Sequence, residues 1–453
     1  MDRQEQADHR PPASQPIARR SLLRGIGAGA FAMGAGGIVS ACSGGLKGAG
    51  PVSKGGTINI GFVTPLTGPL AGFASGDRYV LSKIRATSVY SKGMRIGGKL
   101  YKVNIIPMDS QSDPTTAGQV ANQLILSNKV DMIVTTSTPE TTNPVAVAAQ
   151  RHATPCLSTV VPWESWYAGL GGNPVNPTQA FQYCTMFFFG LKEFQGCFVP
   201  MWNRIPNDHE VACMYPNDTD GTAFREGFEP LIKASGYKVV DGGAYADGTT
   251  SYTSMISDFI AHRCQIYSNA PLPPDFNTFW KQAVQQGFKP RLATVAKVLL
   301  FPSDAEALTP APYNIATDSW WGPYLPYTSS LTGESASDLA NGYQAATGNE
   351  WVQSIGSSYS LFEVAYEAFK SVSDPHDHAE VADALHHVSY SGISGPLNFA
   401  NGPAPGVGIV KPLGVQWKKT SGGKFPLEML VVDNSLNPDV KIQAPLEPTF
   451  PFK

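Results

Sequence analysis

Residues 55 to 76, GGTINIGFVTPLTGPLAGFASG, set the fold of this chain. Apolar side chains at positions 58, 60 and 62 alternate with residues 57, 59 and 61, and this period of two predicts a β-strand. Pro65 ends the strand, because proline has no N–H to give to a neighbouring strand. A loop rich in Gly, Pro and Thr follows, and a helical pattern begins near Ala71. A strand end, small hydroxyls and a helix start together predict a site for a small ligand.

The same order of strand, polar loop and helix recurs along the chain. A second set of these units begins near residue 182, and their order predicts an α/β fold with two doubly wound parallel sheets. In the first half, the loops at residues 65–73, 135–142 and 158–166 follow three of the strands and are expected to meet at one mouth. The predicted strands are residues 57–63, 99–109, 130–134, 154–157, 210–216, 237–240 and 265–270.

IGFVTPLTGPLAGFASGDRYV resembles the opening of the type I periplasmic binding proteins of the leucine/isoleucine/valine-binding kind. The resemblance covers about residues 55 to 435 and implies two lobes joined by a hinge, which close on a ligand like a Venus flytrap. Lobe 1 is expected at 55–181 and 316–388, and lobe 2 at 182–315 and 389–435. Residues 436–453 are expected to form a C-terminal tail.

The N-terminus has the pattern of an export signal. Arg19 and Arg20 precede a short, Gly/Ala-rich and weakly apolar segment, which is typical of the Tat route. The segment ends in Val39-Ser40-Ala41-Cys42, which resembles a bacterial lipobox and implies a lipidated Cys42. Residues 1–42 are therefore predicted to be a lipoprotein signal, with 43–54 as a flexible tether. The alternative is an ordinary membrane anchor with a chance cysteine.

Composition and motifs exclude several classes of function. The net charge is −3 and no Lys/Arg stripe is present, so nucleic acid is not an expected partner. The chain has no G-x-S-x-G, H-E-x-x-H or P-loop motif, and we expect neither an enzyme nor a cofactor. The cysteines after Cys42 fit no zinc pattern, and no metal is expected. They are either buried small apolar residues or include one bridge, such as Cys184–Cys197.

The resemblance implies a site shared by both lobes. In the family, hydroxyls of the first lobe hold a carboxylate, an acidic residue takes an ammonium, and apolar side chains enclose the rest. Ser137 and Thr138 stand where the family has its hydroxyl donor, with ordinary turn residues as the alternative. Val160 lies in the next mouth loop, close to Pro162. Pro162 has neither hydroxyl nor N–H where the family uses a threonine, which weakens the expected grip on an amino acid.

Aromatic residues occupy several of the remaining mouth positions. Phe73, Trp163 and Trp320 are predicted to wall the ligand, although burial in the core is the alternative for each. Ala270, at the end of a predicted strand of the second lobe, is included in the same wall.

Two charged residues of the second lobe are candidate ligand contacts. Asp220 is expected to meet an ammonium or hydroxyl, unless it serves as a helix N-cap. Lys297 stands near the position of the family's second-lobe acid and favours an anionic ligand.

The resemblance implies a binding function rather than catalysis. The chain is expected to be an exported cell-envelope lipoprotein, on the outer face of the cytoplasmic membrane or in the periplasm. There it captures a small molecule, either an amino acid or an aromatic or carboxylate compound, and delivers it to the permease subunits of an ABC importer. The alternative is a ligand-sensing module for a membrane receptor.

Overall fold

The computed structural model describes residues 53–308, 313–420 and 422–451. The predicted signal, Cys42 and nearly all of the tether lie outside these residues. The strands are β1 (Lys54–Thr64), β2 (Met94–Ile96), β3 (Lys99–Asp109), β4 (Met132–Thr136), β5 (Cys156–Thr159), β6 (Cys184–Phe187), β7 (Glu210–Pro216), β8 (Lys238–Tyr245), β9 (Ile266–Asn269), β10 (Leu292–Val295), β11 (Ala316–Ser319), β12 (Ser389–Gly392), β13 (Gly395–Asn398), β14 (Val407–Gly408), β15 (Leu413–Lys419) and β16 (Leu427–Asp433).

The helices alternate with these strands over most of the chain. They are α1 (Asp77–Ala86), α2 (Ser88–Ser91), α3 (Pro114–Leu126), α4 (Pro139–Arg151), α5 (Trp163–Gly169), α6 (Leu191–Arg204), α7 (Thr219–Ala223), α8 (Glu229–Ala234), α9 (Thr253–Ala261), α10 (Pro273–Gln286), α11 (Pro302–Ala307), α12 (Ala336–Thr347), α13 (Ser354–Lys370) and α14 (His378–His387). A 3₁₀ turn (Ala71–Ala74) precedes α1, and a π-helical turn (Phe224–Phe228) joins α7 to α8.

Two seven-stranded sheets form the centres of two lobes. The first sheet has the order β14-β6-β5-β4-β1-β3-β2, and the second has the order β16-β15-β11-β10-β9-β7-β8. All neighbours in the first sheet are parallel except β2 with β3. In the second sheet, β15 pairs antiparallel with both β11 and β16, and the other neighbours are parallel. The predicted pair of doubly wound parallel sheets is confirmed.

Local sequence signals place the helix starts next to the strand ends. Asp113 caps α3 by accepting a hydrogen bond from the Thr116 N–H at 2.7 Å, and Pro114 takes the first helical position, where no N–H is needed. Pro139 likewise takes the first helical position of α4. At the other end of a helix, Gly287 closes α10 with a φ of +87°, a conformation that favours glycine. The carboxyl ends of the parallel strands therefore face helix N-termini.

The chain passes between the lobes at three places. The first lies between β6 and α6, the second follows β11, and the third joins β14 to β15. These crossings fall later than the sequence placed them, because β6 still pairs with β5, and β11 pairs with β10. Residues 389–408 also stay with the first lobe, since β12 packs on α13 and β14 pairs with β6. Four-residue buried strands carry no alternation in sequence, so their sheet is hard to assign.

The cysteines in the described part of the chain are buried and form no disulfide. The bridge Cys184–Cys197 that the sequence left open is absent. Cys184 lies on β6 in register with Cys156 on β5, and its thiol donates to the Ala146 carbonyl at 3.2 Å. Cys197 lies on α6 in the second lobe. The hinge separates the two residues, which spacing along the sequence does not reveal.

Candidate functional site

A cavity lies between the lobes where the carboxyl ends of both sheets meet. Its free volume is about 30 Å³, room for about two water molecules. This position, outside the carboxyl ends of parallel strands, is the usual ligand site of open α/β sheets. Its lining residues are Phe73, Thr138, Val160, Pro162, Phe188, Phe194, Asp220, Phe224, Ala270, Ala296, Lys297, Leu300, Asp318 and Trp320.

Most of the residues predicted from sequence come together in this cavity. They are Phe73, Thr138, Val160, Asp220, Ala270, Lys297 and Trp320. Ser137 and Trp163 do not line it. Ser137 immediately precedes Thr138 in the chain and is fully buried. Its hydroxyl has no hydrogen-bond partner in the described structure.

Trp163 faces a neighbouring groove between the lobes. This groove has a volume of about 940 Å³ and is also lined by Glu164, Val175 and Leu191. The indole packs against Gly190, where an added Cβ would lie 2.3 Å from the ring. Trp163 therefore contacts the chain where it crosses between the lobes.

Three non-glycine residues at the mouth have a positive φ. Ser137 has a φ of +130°, Val160 of +62° and Lys297 of +67°. Each follows within two residues of the end of a strand, namely β4, β5 and β10. Such backbone costs on the order of 1 kcal/mol or more per residue, and it is concentrated at functional sites. The strain sets the direction of the mouth loops, and the sequence gives no sign of it.

Lys297 is the centre of a buried ion cluster. Its Nζ lies 2.9 Å from Asp218 Oδ2, 3.1 Å from Asp220 Oδ2 and 3.5 Å from Glu140 Oε1. Burial lowers the pKa of Lys297, but the three carboxylates outweigh it and hold the pKa well above its usual range. With all four groups ionised, one ammonium faces three carboxylates. From the sequence, Lys297 was expected to favour an anionic ligand. In the structure, the ammonium of Lys297 is already paired with three carboxylates.

Asp220 is a cavity residue rather than the helix N-cap. The cap of α7 is Asp218, whose Oδ1 accepts from the Gly221 N–H at 2.6 Å. Asp220 turns inward, and its Oδ1 accepts from the Ser165 hydroxyl at 3.1 Å. Burial, and to a smaller extent the charges of Glu140 and Asp218, raise the pKa of Asp220 to about 7, against the opposing effect of Lys297.

Two contacts of this cluster join the lobes directly. Glu140 belongs to the first turn of α4 in the first lobe, whereas Lys297 follows β10 in the second. Ser165 lies on α5 of the first lobe, and Asp220 on α7 of the second. The polar groups that face the cavity therefore also hold its two walls together.

Sequence reasoning missed several residues of the wall. Phe188 stacks on Phe189 and meets the Trp320 ring edge to face, with centroids 5.2 Å apart. Phe194 and Phe224 pack with centroids 5.0 Å apart. The run Phe187-Phe188-Phe189 at the end of β6 was an available signal, because three successive large apolar side chains are usually buried.

Asp318, at the end of β11, was also missed. Its side chain is 2% exposed, its Oδ1 has no hydrogen-bond partner among the described residues, and burial raises its pKa to about 7. A carboxylate near the end of a short buried strand is a signal that the sequence did offer.

The first-lobe wall offers the hydroxyl of Thr138 at the N-terminus of α4, and two further hydroxyls lie in the first turn behind it. Thr138 occupies the N-cap position without a side-chain bond to the helix, and the buried hydroxyls of Thr141 and Thr142 have no partner in the described structure. A helix N-terminus with free donors stabilises negative charge. The chemistry of this wall suits a carboxylate or another acceptor.

The periplasmic binding protein family matches this chain over residues 57–409. The chain belongs to this family. Within the residues that the structure describes, no helix is long and apolar enough to cross a membrane.

Solved structures of solute-binding proteins share the fold. The leucine-binding protein LivK of Thermotoga maritima is 18% identical, with a TM-score of 0.67, covering 84% of this chain and 99% of its own. LivJ of Streptococcus pneumoniae, in complex with isoleucine, is 16% identical, with a TM-score of 0.64 and coverages of 83% and 99%. A solute-binding protein of an ABC transporter from Rhodopseudomonas palustris, in complex with 3,4-dihydroxybenzoic acid, is 16% identical, with a TM-score of 0.61 and coverages of 83% and 98%. This periplasmic binding protein therefore has the expected type I fold.

Proposed function

We propose that this periplasmic binding protein captures a small molecule between its lobes and delivers it to an ABC importer. The observation that carries the proposal is the inter-lobe cavity, in which strand ends of both sheets supply the lining residues. Ligand contacts from both lobes make a closed conformation lower in free energy than an open one. A transporter can then distinguish the closed, loaded protein from the open one.

We propose a ligand with a polar end and an apolar body, either an amino acid or an aromatic carboxylate. The hydroxyl of Thr138 at the start of α4 supplies a donor for a carboxylate, and Phe188, Phe194 and Trp320 supply apolar surface. The isoleucine bound by LivJ and the 3,4-dihydroxybenzoic acid bound by the R. palustris protein are consistent with both choices.

The test is a thermal-shift screen of the chain from Ser43 onward against amino acids, aromatic carboxylates, amides and polyols. A ligand at 100 times its Kd adds about 2.7 kcal/mol to the free energy of unfolding, which raises the Tm measurably. Small-angle scattering with and without each hit then reports lobe closure. A panel without any stabilising compound contradicts the proposed ligand classes.

Delivery to a transporter is tested in cells. Deletion of this protein is expected to abolish uptake of the radiolabelled ligand, and re-expression is expected to restore it. If uptake is unchanged while a transcriptional or motility response to the ligand is lost, the protein serves a receptor instead.

We also propose that Cys42 is lipidated after Tat export. Replacing Arg19 and Arg20 with lysines is expected to leave the protein in the cytoplasm. In a Triton X-114 partition, the Cys42→Ser variant is expected to move from the detergent-rich phase to the aqueous phase. A Cys42→Ser protein that still partitions with detergent contradicts the anchor.

A further inference from the structure

The ion cluster around Lys297 occupies the polar end of the cavity, and it bears on how the proposed function is carried out. The Lys297 side chain is 6% exposed and that of Asp220 is 5% exposed, so the centre of this charge cluster is out of water, whereas Glu140 at its edge is 26% exposed. The cavity beside it has a free volume of only about 30 Å³. A ligand larger than a few atoms therefore needs space that lining side chains, Lys297 among them, now occupy.

The cluster is short of positive charge. Glu140, Asp218 and Asp220 share the single ammonium of Lys297, and Asp318 brings a further carboxyl group to the same cavity. Asp318 is nine-tenths or more buried, and its Oδ1 has no hydrogen-bond partner among the described residues. An anion entering this end of the cavity meets repulsion, whereas a cation is attracted. Phe188 and Trp320 line the same cavity, and aromatic rings attract cations.

The backbone at Lys297 has a conformation that is uncommon for a non-glycine residue. Lys297 and Leu299 both have a positive φ, +67° and +57°, in the short segment between β10 and α11. A lysine has four rotatable side-chain bonds, so its ammonium can leave the cluster without any movement of β10. The ammonium is thus held by ion pairs, and another cation can take its place while the Lys297 backbone stays where it is.

We propose that the ammonium of Lys297 occupies the place of a positively charged group of the ligand, and that cationic or zwitterionic solutes bind by displacing it. Lys297 is then an internal competitor. It keeps three carboxylates paired before a ligand arrives and, through Glu140, holds the two lobes together. A neutral or purely anionic solute gains nothing from its displacement. This inference rests on the proposed function of the cavity.

Two sets of matched compounds test the inference by calorimetry on the purified protein. The first set is phenethylamine, L-phenylalanine and 3-phenylpropanoate; the second is isoamylamine, L-leucine and 4-methylpentanoate. Each set keeps one apolar body and varies only the charged groups. The Lys297→Met variant is expected to bind the amines or amino acids about tenfold more tightly than the wild type, with no gain for the carboxylates. Lys297→Arg, which keeps the charge, is the matched control and is expected to show no gain.

Glu140→Gln keeps the inference testable if Lys297→Met does not fold. It removes the negative charge of the first lobe that attracts Lys297, but leaves Lys297 paired with Asp218 and Asp220 and leaves the Ser165–Asp220 hydrogen bond in place. We expect about threefold tighter binding of the amino-bearing compounds, because the Glu140–Lys297 pair stabilises only the empty protein, in which Lys297 has not been displaced, so the empty state loses more than the bound state.

Unchanged or weaker binding of every amino-bearing compound by Lys297→Met overturns the inference, as does equal binding by Glu140→Gln if only that variant folds. A preference for the carboxylates that is lost in Lys297→Met also overturns it, because Lys297 then holds the ligand. That second result leaves the proposed capture function standing. Absence of binding by all six compounds, in the wild type and in both variants, contradicts the inference, and the broader thermal-shift screen then decides the capture function separately.

Discussion

The two walls of the cavity use different chemistry. The first-lobe wall contributes apolar residues such as Val160 and Pro162, and the start of α4 with the hydroxyl of Thr138. The second-lobe wall contributes Asp220, Lys297 and Asp318. Backbone dipoles and hydroxyls bind a charged group without themselves carrying a full charge, whereas the second wall must bury full charges. The first wall can therefore orient a ligand, and the second selects it by charge.

This difference has a structural cost that falls on the second lobe. The buried carboxylates of Asp218 and Asp220 are tolerated because they pair with Lys297. Glu140 of the first lobe, whose side chain is 26% exposed, completes the cluster. The pairing depends on the start of α7, which sets both Asp218 and Asp220. The second wall is therefore expected to be more sensitive to substitution than the first.

The largest expected effect comes from Gly221, the residue after Asp220. A Cβ at this position would lie 1.9 Å from the Pro216 carbonyl oxygen, which is backbone at the end of β7. We expect Gly221→Ala to reduce the free energy of unfolding by about 3 kcal/mol, because the backbone must shift. Urea unfolding followed by circular dichroism measures this change.

Gly118 in α3 of the first lobe is the matched control. A Cβ there meets nothing nearer than Pro144 Cβ at 3.8 Å. Gly118→Ala is expected to stabilise the protein by about 0.5 kcal/mol, since glycine is unfavourable in a helix. Equal, small effects of the two substitutions would show that the start of α7 is not rigid, and the contrast between the walls would fail.

The pH dependence of stability compares one buried carboxyl group from each lobe. Burial raises the pKa of Asp77 in the first lobe and of Asp318 in the second to about 7. Between about pH 4 and 7 the folded protein holds these protons and the unfolded chain does not, so stability falls as the pH rises. Each of the two carboxyl groups is expected to lower the free energy of unfolding of the wild type by on the order of 2 kcal/mol between pH 4 and 8. We expect Asp77→Asn and Asp318→Asn each to remove one of these losses. Urea titrations across this range measure it.

Ligand binding separates these two variants. Asp77 accepts hydrogen bonds from the hydroxyls of Thr64 and Ser358, both at 2.6 Å, and does not line the cavity. Asp77→Asn is therefore expected to leave the pH dependence of ligand affinity unchanged, whereas Asp318→Asn is expected to alter it. The same change in both variants would mean that Asp318 acts only through stability.

The fold could be predicted from sequence because its signals are local. The alternation of residues 57–63, the Asp113-Pro114 start of α3 and the Gly287 end of α10 each depend on neighbouring residues. The positions of Thr138, Asp220 and Lys297 in the cavity follow from the same logic, because residues after parallel strands meet at one edge. Assigning the strands therefore also assigns the sheet edge at which these residues lie.

The partners of these residues could not be predicted in the same way. Glu140 and Lys297 are 157 positions apart and meet only because the hinge brings the lobes together. Asp218 and Asp220 are both acidic residues beside a helix start, and local sequence does not tell which one caps the helix. The sequence therefore predicts the position of the cavity but not the balance of charges inside it.

The contribution of the aromatic wall is tested at Trp320. Its ring is 3% exposed, and its backbone N–H donates to Gln353 Oε1 at 2.9 Å, which fixes the crossing after β11. Trp320→Ala is expected to weaken ligand binding about tenfold, through loss of apolar contact area. Calorimetry with the strongest compound of the screen measures this change. Trp320→Phe keeps a ring and is expected to retain most of the affinity; equal affinity in the Ala variant would place the ligand elsewhere.

The smallest expected effect isolates one contact between the two walls. Ser165→Ala removes the hydroxyl of the first lobe that donates to Asp220 at 3.1 Å and leaves every charge of the cluster in place. We expect about threefold weaker ligand binding, because one neutral hydrogen bond no longer favours the closed arrangement. Ser371→Ala, at the end of α13, removes a hydroxyl that bonds only to its own helix and is the control. If Ser165→Ala lowers affinity while urea unfolding is unchanged, the hydroxyl acts between the lobes. If affinity is unchanged, the charges alone hold the two walls together, and the division of tasks between the walls becomes sharper.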